Sequence, residues 1–88
     1  MDMKAISFGE IESLLIGLGF VRLQTTGDHR AFRHEESDTL IVLPGWPADN
    51  ELDAIHRAVV RRMLDERGVI DGDAFDSLLA QRVATPTA

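Results

Sequence analysis

The sequence predicts an α+β domain: a three-stranded antiparallel sheet with helices on one face, in the order α-β-β-β-α and with one more helix at the end. Three observations carry that expectation. Apolar residues recur at helical spacing in two stretches, near residues 8–18 and 52–64. Between them lie three runs rich in β-branched and aromatic residues, each closed by a turn signal. The chain has 88 residues with no linker or internal repeat, enough for one domain with one core.

The elements follow in order. Ser7 followed by Glu10 is a capping-box pair, in which each side chain satisfies the backbone N–H of the other at a helix start. Phe8, Ile11, Leu14, Leu15 and Leu18 then mark one helical face, and Gly19 ends the helix as a left-handed C-terminal cap does, so the first helix covers residues 8–18. Phe20 to Thr25 reads as a strand. Thr26-Gly27-Asp28 is a hairpin connection in which Gly27 can supply a positive φ if the turn needs one. His29 to His34 returns as the second strand, Glu35 to Asp38 turns again, and Thr39 to Leu43 is a third strand apolar enough to be central or well covered. Pro44-Gly45-Trp46-Pro47 ends it, because proline cannot donate to a ladder. Asp49 or Asn50 caps a long helix with Leu52, Ile55, Val59 and Met63 on one stripe and Val60 and Leu64 beside it. Gly68 closes that helix and Asp71 opens the last one, at about residues 71–82. Residues 1–82 thus form a single domain, and 83–88 read as a flexible tail. Phe75, Leu78 and Leu79 fit packing onto the domain, a homodimer contact or a partner's dock equally well.

Composition narrows the functional classes. With 9 Lys and Arg against 15 Asp and Glu, the net charge of −6 argues against a broad electrostatic grip on nucleic acid. Any polyanion site must be local and built from guanidinium groups, since Lys4 is the only lysine. There is no cysteine, hence no disulfide framework and no thiolate metal site. The opening MDMKAISFGE lacks the apolar stretch of a signal peptide, and no run approaches the ~18 apolar residues of a membrane span, so a cytoplasmic protein without membrane contact is expected.

The chemistry-bearing stretch is Gly27-Asp28-His29-Arg30-Ala31-Phe32-Arg33-His34. It places His29 at a strand mouth just after a tight turn. By alternation His29, Ala31 and Arg33 share one side, and Arg30, Phe32 and His34 the other. Imidazole titrates near working pH, so it can take a proton from a ribose 2′-hydroxyl or return one to a leaving oxygen. Guanidinium groups can hold the phosphate: Arg33 from the same face, with Arg22 and Arg30 close by. Trp46 could stack a base or cover the edge of a small core. His29, His34 and His56 lack the close paired spacing of zinc ligands, so no metal is expected. A surface histidine at a strand end remains the plain alternative to a catalytic one.

Gly19-Phe20, then Gly27-Asp28-His29-Arg30-Ala31-Phe32, then Val42-Leu43-Pro44 and Glu51-Leu52 form an ordered pattern over about residues 6–64. That pattern resembles the HicA (YcfA-like) family of toxins. The resemblance implies a double-stranded-RNA-binding-like fold, cleavage of mRNA without metal or cofactor, and a HicB-like antitoxin as partner. It also implies His29 as the catalytic residue, Gly27 as its turn and Phe32 as a structural position. Asp28 stands where the family has a small hydroxyl residue, and Gly45-Trp46 follows Pro44 where the family has x-His. A competing class is a non-catalytic module of the same fold that acts through protein contacts, which the net charge favours.

Overall fold

The computed structural model describes residues 6–25, 27–47 and 49–84, with side chains to residue 81. Its order is α1 (Phe8–Gly17), β1 (Val21–Leu23), β2 (His29–His34), β3 (Thr39–Pro44), α2 (Ala54–Glu66) and α3 (Gly72–Ala84). The three strands form one antiparallel sheet in the order β1-β2-β3.

α1 starts where the capping box does. The Glu10 amide donates to Ser7 Oγ at 3.1 Å, and the Ser7 amide donates to Glu10 Oε1 at 3.0 Å. The same segment is tied to the approach of α2, with the Phe8 amide on the Asn50 carbonyl at 2.9 Å and the Leu52 amide on the Ile6 carbonyl at 2.7 Å. These links bury Ile6 and Leu52 between the two helices.

β1 is shorter than the sequence pattern predicts. Phe20 turns into the core and lies 5.0 Å from the His34 ring, while Gln24 and Thr25 leave the ladder. Thr25 Oγ1 instead donates to the His29 carbonyl at 2.6 Å, bracing the hairpin from the side. Gly27 has φ +92, so the turn uses a left-handed backbone at the glycine. Thr26 of that turn lies outside the described residues.

β2 is the central strand and β3, like β1, is an edge strand, so the apolar character of β3 does not come from a central position. Thr39, Ile41 and Leu43 face the helices and are buried, whereas Leu40 and Val42 are 47% and 50% exposed on the other side. The helices all lie on one face. Phe8, Ile11, Leu14 and Leu15 of α1 meet Phe32, Ile41 and Leu43 of the sheet, and Val60 and Leu64 of α2 and Phe75 and Leu79 of α3 complete the core. The opposite face carries Val21, Leu23, His29, Ala31, Arg33, Leu40 and Val42, and no described element covers it. Ala31 is buried there only because it is small and sits between Leu23 and Val42, its cross-strand partners.

Two details of the long helix differ from expectation. Its cap is Asp53, not Asp49 or Asn50. Its buried stripe runs through Val60 and Leu64 with Met63 beside it, while Ile55 is 74% exposed and Val59 is half exposed. Positions 55 and 59 sit one residue, about 100° of helical rotation, behind 56 and 60 and so fall on the flank. α3 runs to Ala84, two residues beyond the expected end, and residues 85–88 of the expected tail lie outside the described residues. Phe75 and Leu79 are seated in the domain's own core. Arg61 fastens the two last helices, its Nε donating to both oxygens of Asp76 at 3.1 and 3.2 Å. That hydrogen bond, ahead of the charge attraction, raises the Arg61 pKa further above its ordinary value.

Candidate active site at the mouth of the hairpin

His29 is the first residue of β2 and stands exposed, directly opposite Pro44 at the end of β3. Its place depends on a close backbone approach. The Gly45 amide donates to the Asp28 carbonyl, and a Cβ on Gly45 would lie 2.6 Å from that oxygen. Only glycine lets the two backbones meet there, so Gly45 holds the strand mouth closed just before His29. No element of the sequence pattern singled it out for that role.

Arg33 projects from the same face four residues further along β2, and its Nη2 lies 2.9 Å from Asp38 Oδ1. Both groups are exposed, and a surface pair of this kind is worth only about 0–1 kcal/mol, so a phosphate could replace Asp38. Around these two polar groups the face is aliphatic: Val21, Leu23, Ala31, Leu40 and Val42.

Arg22 and Arg30 go elsewhere. Both point to the helix side of the sheet, where they converge on Glu12 of α1. Arg22 Nη2 lies 2.7 Å from Glu12 Oε1, Arg30 Nη1 pairs with Glu12 Oε2, and the Arg22 guanidinium sits 5.9 Å above the centre of the Phe32 ring. Neither reaches the face that carries His29. Glu12 is the residue that sequence reasoning missed. The available signal was its spacing, four residues after Phe8 and three before Leu15, which puts a carboxylate on the buried side of α1 where it must find cations.

Trp46 packs edge-on against Phe8 at 5.5 Å and against His56 at 5.8 Å, with nearly half of its surface exposed. It covers the end of the core and keeps an open side. His56 Nδ1 is 2.5 Å from Asp53 Oδ1, and this hydrogen bond holds the Asp53 carboxyl below its ordinary range. His34 lies on the helix side, its Nδ1 accepting from the Ser37 amide at 3.3 Å and sharing a 2.7 Å hydrogen bond with Ser37 Oγ. Ser37 Oγ in turn meets the buried Thr39 hydroxyl at 2.7 Å. Among the described residues no three of His, Asp and Glu are grouped closely enough to hold a metal ion, and no helix is long and apolar enough to cross a membrane.

The arrangement defines a small α+β domain with one exposed imidazole and one exchangeable guanidinium on an otherwise aliphatic sheet face. No protein-family description, curated protein or solved structure matches the chain.

Proposed function

We propose that the protein is a HicA-like endoribonuclease toxin of a toxin–antitoxin pair, cleaving single-stranded RNA with His29 as general acid/base and without a metal. The observation that carries this reading is the placement of His29 and Arg33 on one uncovered face of β2, with His29 at a strand mouth shaped by Gly27 and Gly45. Arg33 exchanges Asp38 for a backbone phosphate. His29 accepts the proton of the ribose 2′-hydroxyl as that oxygen attacks phosphorus, and the bond to the 5′-oxygen breaks, the departing oxygen taking its proton from water. Trp46, open at the same end of the sheet, gives a base a surface to stack on. A HicB-like antitoxin is the corresponding partner.

A second reading is favoured by the ion-paired arginines and the aliphatic face: a protein-binding module without catalysis. RNA work on wild type and His29→Ala separates the two. The first reading expects RNA cleavage in EDTA and a loss of at least ~100-fold in the variant. It also expects weak RNA binding with a shallow salt slope, roughly −0.7 to −1.4 in log K for one or two phosphates. Equal cleavage by both proteins, inhibition by EDTA, or no RNA binding at low salt would reject it and leave the module.

A further inference from the structure

We infer that the cleft between α1 and the β1–β2 ladder is a binding site for a small monoanion, specifically a carboxylate with an apolar body. It lies on the opposite side of the sheet from His29 and does not depend on the ribonuclease reading. The cleft has a volume of about 290 Å³ and is lined by Gly9, Glu12, Ser13, Ile16, Arg22 and Phe32.

Its charge is the first argument. Glu12 lines the cleft and Arg30 lies outside its lining; their side chains are 14% and 20% exposed, and they neutralise each other as an ion pair. Arg22 also touches Glu12 but is 57% exposed. One carboxylate against two guanidinium groups leaves one surplus positive charge, and it sits on the outer member, Arg22. In a chain with net charge −6, such a local positive spot attracts a monoanion.

Geometry supplies the second argument. Only one nitrogen of Arg22 is engaged by Glu12, so the rest of its planar donor set is available, and a carboxylate matches that set with two parallel hydrogen bonds. The guanidinium lies over the Phe32 ring, 5.9 Å from its centre. The exposed Ser13 on the opposite wall adds a hydroxyl donor, the half-exposed Ile16 supplies an apolar surface, and Gly9 adds no side chain to fill the space. A ligand therefore needs an anionic head and a short hydrocarbon or aromatic body, and the volume suits roughly ten heavy atoms (a molecule occupying most of a cleft at the small end of ligand pockets).

The test uses benzoate as probe, followed by amide NMR shifts on the full chain. Saturable shifts are expected at residues 9–16 and at Arg22. Benzamide, the uncharged isostere, should bind at least tenfold more weakly, and so should inorganic phosphate, which has no apolar body. Arg22→Gln should weaken benzoate at least tenfold and Arg22→Lys less. Glu12→Gln, which still accepts hydrogen bonds, should tighten benzoate severalfold because it frees a second positive charge. Circular dichroism checks that each variant is folded. Non-saturable shifts, shifts centred outside the cleft, equal binding of benzamide, or unchanged affinity in Glu12→Gln would overturn the assignment.

Discussion

Asp53 uses one carboxylate oxygen to accept the His56 amide at the start of α2 and the other to hold the His56 ring. The folded state therefore prefers the ionised carboxylate, and the Asp53 pKa lies below its unfolded value of 3.8. A depressed carboxyl pKa contributes stability that is present above the unfolded value and is lost as pH falls through the folded one. His56→Ala should return the Asp53 titration toward the ordinary range, as read from its side-chain carboxyl shift. The variant should melt below wild type at neutral pH, and the gap should narrow below about pH 4. A gap that persists unchanged into acid would assign the loss to ring packing against Phe8 and Trp46 instead. At this scale the sequence was informative wherever two-residue alternation decides a side. His29 and Arg33 do face one way, and Arg30 and His34 the other. The side of Arg22 was not legible, because it depends on the β1–β2 register, which pairs it with Phe32, and no local pattern contains that register. Helical spacing marks Glu12 as facing the core side, but its partner Arg30 is 18 residues away, so no local pattern names the cation it meets.

Among the elements, α1 and the two hairpin turns were legible because caps and turn residues act within a few positions of themselves. The stripe of α2 was not. Leu52, Ile55, Val59 and Met63 make an equally good helical row, and only the placement of α2 against β3 and α3 selects Val60 and Leu64 for burial. α3 settles against that same face. Phe75 is fully buried, so Phe75→Ala should cost about 3–5 kcal/mol, measured by denaturant unfolding. The loss should appear at every protein concentration, because the site is filled within one chain. A concentration-dependent melting point in wild type would point to a shared interface instead.

For the whole molecule, the sheet's open side sets an unusual balance. β3 is the longer of the two edge strands, six residues against three in β1, and alternate residues along it present Leu40 and Val42 to solvent. An outer strand of that kind is a template on which another chain can add as the next strand. What opposes such growth is colloidal: each copy carries −6, and like-charged copies repel before their edges meet. Salt shortens the range of that repulsion from about 10 Å at 0.1 M to about 3 Å at 1 M. Sedimentation velocity should therefore show monomer at low salt and association at 1 M NaCl, with Val42→Lys monomeric in both. Identical sedimentation of wild type at the two salt concentrations would mean that the strand protects itself by shape. Otherwise the acidic surface is what keeps the protein dispersed, and its excess of carboxylates guards an unfinished sheet.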